Sequence, residues 1–81
     1  MATRYELTMT RPDRKRVVKR YLHEDGVRVN SDAQLFGYVN HKLLSDTERG
    51  PDGTVYTLKI NDGRQTRVTT MKKVSGRYRT I

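Results

Sequence analysis

Two stretches rich in cationic side chains hold the residues of this sequence with the clearest chemical use. Ammonium groups attract phosphate oxygens, and a guanidinium group holds them through two parallel N–H donors. One stretch spans residues 11–20, and the other cations follow within residues 59–79. The candidate nucleic-acid-binding residues are Arg11, Arg14, Lys15, Arg16, Lys19, Arg20, Lys59, Arg67, Lys72, Lys73, Arg77, Tyr78 and Arg79. The run over residues 11–20 also fits a solvated hairpin tip that serves solubility alone.

Tyr78 stands out because it lies between two arginines. An aromatic ring among cations is typical of proteins that stack a base while they hold the backbone. Alternation along the chain assigns Tyr5, Tyr21 and Tyr56 to the core, which leaves Tyr38 and Tyr78 as the tyrosines free to stack. Because so few tyrosines are free to stack on bases, the sequence favours contact with phosphates over reading of base sequence.

Residues for catalysis or metal binding are sparse. The chain has two histidines and no cysteine, and neither His23 nor His41 has a second ligand at metal-binding spacing. His23 precedes Glu24 and Asp25, but neighbours in sequence do not provide the geometry of acid–base catalysis, and a solvated turn explains them. No glycine-rich phosphate loop is present. We therefore predict a protein that is not an enzyme and has no catalytic residue, metal or cofactor.

The net charge of +8 is unevenly distributed along the 81 residues. Residues 1–22 carry +5, residues 23–53 carry −3, and residues 54–81 carry +6. Folding can bring the two basic ends into one positive field, with the acidic middle elsewhere. This distribution predicts a polyanionic partner.

The first basic third has the pattern of a β-hairpin. Tyr5, Leu7 and Met9 alternate with polar residues, as in a half-buried strand. Pro12 and Asp13 favour a turn, and residues 16–22 are predicted to return as a second strand. The alternation leaves open whether Lys19 or Arg20 points outward.

A helix is predicted over residues 32–44. Ser31 is placed as the N-cap, with Gln34 at the capping-box spacing, and an apolar stripe follows through residues 35, 36, 39 and 43. Gly37 lowers helix preference, and the neighbouring Phe36 and Tyr38 suit strands as well. A strand here would make the protein a small barrel.

Residues 45–53 contain turn formers and no apolar residue, and they are predicted to form an exposed loop. The carboxyl third that follows has the pattern of a second hairpin. Asn61-Asp62-Gly63 separates two alternating segments and indicates a short hairpin loop. A three-residue loop would place Ile60 opposite Arg64, which assigns Val68 to the buried face. Residues 75–81 either continue as an irregular strand or fray.

These elements predict a single α+β domain over residues 1–81, too short for a second core. Its order is ββαββ, with hairpins over residues 4–22 and 54–74 and the helix on one face of an antiparallel sheet. The alternative is an all-β SH3-like or OB-like barrel. The predicted core is Leu7, Met9, Leu35, Phe36, Val39, Leu43, Tyr56, Leu58, Ile60 and Val68; the predicted open face carries Arg4, Lys19 or Arg20, Lys59, Arg67 and Lys73.

Two functions fit this sequence. The first is a small, basic nucleic-acid-binding protein that contacts the phosphates of DNA or RNA through its sheet face and hairpin tip, with low sequence specificity. The alternative is a protein–protein interaction module or inhibitor that docks on an acidic protein surface. Exposed sheet edges favour a homodimer. No stretch approaches the roughly 20 apolar residues of a membrane span, and no signal segment is visible, so a cytoplasmic location is expected.

Overall fold

One antiparallel sheet and one helix build the structure, a computed structural model that describes residues 3–14, 16–24 and 30–81. Its elements are β1 (Thr3–Thr10), β2 (Val17–Glu24), α1 (Asp32–Leu43), β3 (Val55–Asn61), β4 (Thr66–Val74) and β5 (Arg77–Thr80). The strand order across the sheet is β2-β1-β3-β4-β5. The predicted α+β class is confirmed, and the barrel alternative is wrong because β2 and β5 remain as edges of an open sheet. The predicted element order ββαββ is extended by a fifth strand, β5.

The helix begins as its sequence predicts. The Ser31 hydroxyl accepts a hydrogen bond from the backbone N–H of Gln34 at 3.2 Å, and the Gln34 side chain accepts one from the Asn30 N–H at 2.9 Å. Two amide donors at the start of α1 are therefore satisfied reciprocally. At the other end the Leu44 N–H donates to the Asn40 carbonyl, which closes the last turn.

The core lies between α1 and the sheet face that it covers, here called the helix face. Its buried apolar residues are Tyr5, Leu7, Met9, Leu35, Phe36, Val39, Leu44, Tyr56, Leu58 and Met71. Leu43 and Ile60, predicted as core, are half-buried and pack against this cluster. Val68 was assigned to the core wrongly, because its side chain is 60% exposed.

The error at Val68 comes from the register of the β3–β4 hairpin. Ile60 pairs with Arg67 and Tyr56 with Met71, whereas a three-residue loop requires Ile60 to face Arg64. The Asp62 carboxylate accepts hydrogen bonds from the N–H groups of Arg64 and Gln65, so these two residues belong to the turn. Because the shift is by an odd number of positions, every side chain of β4 changes face.

Gly37 is a helical glycine with room for a side chain. A Cβ at this position would meet no heavy atom within 4 Å outside its own helix backbone. We expect Gly37→Ala to raise the free energy of unfolding by about 0.5–1 kcal/mol, since alanine loses less backbone entropy in a helix. Thermal unfolding should show a midpoint roughly 3–6 °C higher.

The control for this prediction is Gly50→Ala. Gly50 is buried, and a Cβ there would lie 2.0 Å from the Oγ1 atom of Thr54. This second substitution should lower the midpoint. A lowered midpoint for Gly37→Ala as well would show that α1 packs differently around this glycine.

Candidate nucleic-acid interface

The sheet face opposite α1, here called the open face, carries six exposed cations drawn from all five strands. Strand alternation and pairing register assign Arg4, Lys19, Lys59, Lys72, Arg77 and Arg79 to it. Glu6 is the carboxylate that the same alternation places among them. Within residues 3–14, 16–24 and 30–81, none of these six cations forms an ion pair. The open face therefore has a surplus of uncompensated positive charge.

Four arginines on the helix side and in the loops are paired instead. Ion pairs join Arg67 to Asp32 at 3.0 Å, Arg20 to Glu48 at 2.8 Å, Arg49 to Asp46 at 3.2 Å and Arg11 to Asp13 at 2.8 Å. The acidic middle of the sequence supplies most of these carboxylates. Folding has thus paired four arginines of the helix side and the loops, while the six open-face cations keep their charge uncompensated among the described residues.

Two cations predicted for the open face lie on the helix face. Arg67 is opposite Ile60 and reaches Asp32 in the first turn of α1. Lys73 donates its ammonium to the Gly50 carbonyl at 3.1 Å, and its backbone pairs with residues 53 and 54. The register of β4 explains both corrections, and it brings Lys72 to the open face in place of Lys73.

Five of the six open-face cations follow a diagonal across the sheet, and Lys19 lies off it, opposite Thr8 on the edge strand β2. Lys72 and Arg79 are paired residues on β4 and β5, with Arg77 two residues before Arg79 on the edge strand. Lys59 lies on the central strand β3, and Arg4 lies on β1 beyond it. Four inter-strand spacings make the sheet about 19 Å wide. An extended polyanion can therefore contact several of these cations at once.

Threonines cross the middle of this face in one row. Thr8 is opposite Thr57, and Thr57 is opposite Thr70. The hydroxyl oxygens of Thr57 and Thr70 are 3.3 Å apart. Hydroxyl groups beside cations are common donors to phosphate and sugar oxygens.

Tyr21, assigned to the core by alternation, is the tyrosine of the open face. The residue is 47% exposed, and the Arg4 guanidinium lies 4.9 Å from the centroid of its ring. Tyr78 is half-buried on the helix face, where its ring contacts Tyr56 edge-on with centroids 5.4 Å apart. The prediction that the Tyr78 ring is free to stack on a base is therefore wrong. The exposed tyrosine available for stacking is Tyr21. Tyr38 donates its hydroxyl to Glu24, and this hydrogen bond raises the Tyr38 pKa.

A cationic cleft lies at the turn end of β1 and β2, on the β2 edge of the sheet, and residues of both faces line it: Met9, Val18 and Arg20 from the helix face and Val17 and Lys19 from the open face. It has a volume of about 270 Å³, and its cations are Arg11, Arg14, Arg16, Lys19 and Arg20. Most of the predicted hairpin-tip residues thus converge on one concavity. Lys15, also predicted here, lies outside the described residues.

The two histidines lie on different parts of the structure: the β1–β2 register places His23 on the open face, and His41 belongs to α1. His23 is exposed opposite Arg4, and His41 lies on α1 with its Nδ1 atom 3.4 Å from the Arg49 guanidinium. Within the described ranges, no three His, Asp or Glu side chains come together as metal ligands do. In the same part of the chain, α1 lacks the length and hydropathy of a bilayer-spanning helix.

Comparison with protein-family models, curated protein sequences and solved structures finds no match for this chain. Function is therefore inferred from the positions of the residues themselves. Tyr21 is the functional candidate that sequence reasoning missed, and Arg4, predicted on the open face, was left out of the candidate binding residues. Their joint position follows from the β1–β2 register, in which Glu6 is opposite Tyr21 and Arg4 is opposite His23.

Proposed function

We propose that this protein binds nucleic acid through its open face, by contacts to phosphates with low sequence specificity. The observation that carries the proposal is the segregation of charge: in the part of the chain that the structure describes, six exposed cations of this face lack ion pairs, while Arg20, Arg49 and Arg67 on the helix side are paired with carboxylates. A merely soluble protein has no need to sort its charges in this way. A phosphate backbone is the ligand that such a surface suits.

Low specificity follows from what the face lacks. Reading of base edges relies on arginine, asparagine or glutamine side chains placed in a groove, usually by a helix or a ribbon. Here α1 lies on the opposite side of the sheet, and the open face is broad and carries mainly threonines, valines and cations. Tyr21 adds one platform on which a base of any identity can stack.

The proposal is tested by the salt dependence of binding. A fluorescently labelled single strand and a duplex of mixed sequence are titrated with the protein at salt concentrations from about 50 to 200 mM. We expect the logarithm of the association constant to fall linearly with the logarithm of salt concentration, with a slope of roughly −3 to −5 for contact by most of the six cations. Absence of binding to both oligonucleotides at the lowest salt would contradict the proposal.

Glu6 gives a prediction of tighter binding. It lies opposite Lys59 and borders a depression of about 70 Å³ with Arg4, Lys59 and Asn61. Its charge repels a phosphate there, so Glu6→Gln should raise affinity about threefold in the same titration. Asp46→Asn removes an equal charge on the helix side and should leave affinity nearly unchanged. Equal gains from both substitutions would mean that net charge, not the open face, controls binding.

A second function, docking on an acidic protein surface, is favoured by the valines of the same face. Val17 is 50% exposed and Val68 is 60% exposed, and neither is needed for contact with phosphates. Apolar anchors surrounded by cations suit a protein partner. Failure of oligonucleotides to bind, together with binding to an acidic protein that is lost on Val68→Asp, would support this alternative.

A further inference from the structure

The cationic cleft at the turn end of β1 and β2 differs from the flat open face because it is concave. Residues of the turn, the start of β2 and Glu48 of the α1–β3 connection border its volume of about 270 Å³. A concave surface of one charge sign focuses the electrostatic field more strongly than a flat one. The cleft is therefore suited to a compact, highly charged anion.

Two guanidinium groups of the cleft are held in place. Arg11 donates to both carboxylate oxygens of Asp13, at 2.9 and 2.8 Å, and contacts the Thr47 carbonyl at 3.4 Å. Arg20 donates to Glu48 at 2.8 Å and to the Lys19 carbonyl at 3.1 Å. These contacts join the turn and β2 to the connection after α1, so the cleft has a fixed framework.

Glu48 is itself fixed and charged. It accepts a hydrogen bond from the Ser45 N–H at 3.0 Å, which is the main reason that its pKa lies below the ordinary value. Among the described residues, Arg14, Arg16 and Lys19 have no carboxylate partner. Of the five cations, Arg11 is paired with Asp13 and Arg20 with Glu48, so the three others leave the cleft positive.

We propose that this cleft binds the terminal phosphomonoester of a nucleic-acid strand that lies on the open face. A monoester carries up to two negative charges and three terminal oxygens, whereas each phosphodiester within a strand carries one charge. Lys19 lies on the open face and also lines the cleft, so a strand that crosses the open face and bends around the β2 edge can end in the cleft. The inference rests on the proposed nucleic-acid function and names the part of the ligand that this second surface takes.

The test uses four single-stranded oligonucleotides of one sequence and about 12 nucleotides, a length within the range of sites on small sheet folds. They carry a 5′-phosphate, a 3′-phosphate, hydroxyl groups at both ends, or hydroxyl ends and two extra nucleotides to match the added charge of up to two. We expect one phosphate-ended strand to bind about tenfold more tightly than both hydroxyl-ended strands. Equal affinities for all four would overturn the inference and leave the open-face proposal standing.

Two variants locate the effect. Replacement of Arg14 and Arg16 by glutamine should reduce the advantage of the phosphate end to less than about twofold, because it removes two of the cleft's cations. Both arginines are exposed and have no ion pair among the described residues, so the fold should be unaffected. Replacement of Lys59 and Lys72 by glutamine should weaken binding of every strand but leave unchanged the ratio of affinities between phosphate-ended and hydroxyl-ended strands. If the arginine variant retains the full ratio, the cleft is not the site.

A competition experiment separates a strand end from a free phosphomonoester. A nucleoside 5′-monophosphate is added to the complex of protein and phosphate-ended strand at constant ionic strength. We expect displacement only at concentrations far above that of the strand, because the strand also contacts the open face. Displacement at equal concentration would show that the cleft takes free monoesters and would overturn the assignment to strand ends.

Discussion

Replacement of Lys59, Lys72 and Arg79 together by glutamine is expected to weaken nucleic-acid binding about a hundredfold at roughly 0.1 M salt. These three side chains lie on β3, β4 and β5, are exposed, and make no ion pair within the described ranges. Each contact with a phosphate releases condensed counterions, so each loss lowers affinity and reduces the salt slope by about 0.7–0.9. The measurement is a set of fluorescence titrations at several salt concentrations.

The matched control is replacement of Lys42, Arg64 and Arg67 by glutamine, which removes the same net charge. Lys42 and Arg67 lie on the helix side, and Arg64 lies in the β3–β4 turn. The control costs little stability, because the exposed Arg67–Asp32 pair contributes at most about 1 kcal/mol. Its salt slope should stay close to that of the unmodified protein. Equal loss of affinity in both triple variants would mean that binding follows net charge and has no preferred face.

Met71→Ala is expected to lower the free energy of unfolding by about 2–5 kcal/mol, while Val68→Ala changes it by less than about 0.5 kcal/mol. Met71 is 3% exposed in the core, and Val68 lies on the open face three residues away on the same strand. For a chain of this length the total stability is about 4–12 kcal/mol, so the loss at Met71 is a large share of it. Urea unfolding followed by circular dichroism measures both values.

This pair of substitutions tests the register on which the open face depends. With the three-residue loop that the sequence favours, Val68 would be buried and Met71 exposed. A larger loss at Val68 than at Met71 would therefore return Arg67 and Lys73 to the open face and remove Lys72 from it. The composition of the candidate interface would change with the register.

The sequence predicted the elements well where a local signal determined them. The Ser31 cap and the apolar stripe set the start and the buried side of α1, and alternation in β1 and β3 identified Leu7 and Leu58 as core residues. The clustering of cations at both chain ends predicted a basic sheet face, and Lys59 lies there. These inferences depended on spacing along one segment at a time.

The sequence did not determine contacts between segments. Capture of two backbone N–H groups by the Asp62 carboxylate lengthened the β3–β4 turn and exchanged the faces of Arg67 and Val68. Tyr78 became a packing residue because β5 adds to the sheet beside β4 and places its ring against Tyr56. Which arginines are neutralised likewise depends on carboxylates far away in sequence, as in the pair of Arg20 and Glu48.

The most direct measurement of the central claim is a map of methyl-group chemical shifts during titration with a single-stranded oligonucleotide. The chain supplies methyl probes on both sides of the sheet: Val17, Thr57, Val68, Thr70 and Val74 on the open face, and Leu7, Leu35, Val39 and Leu58 in the core beneath α1. We predict that the open-face methyl signals shift with a common saturation curve while the core signals stay in place. Shifts confined to α1 and its loops, or spread evenly over both sides, would contradict the assignment of the open face as the nucleic-acid-binding surface.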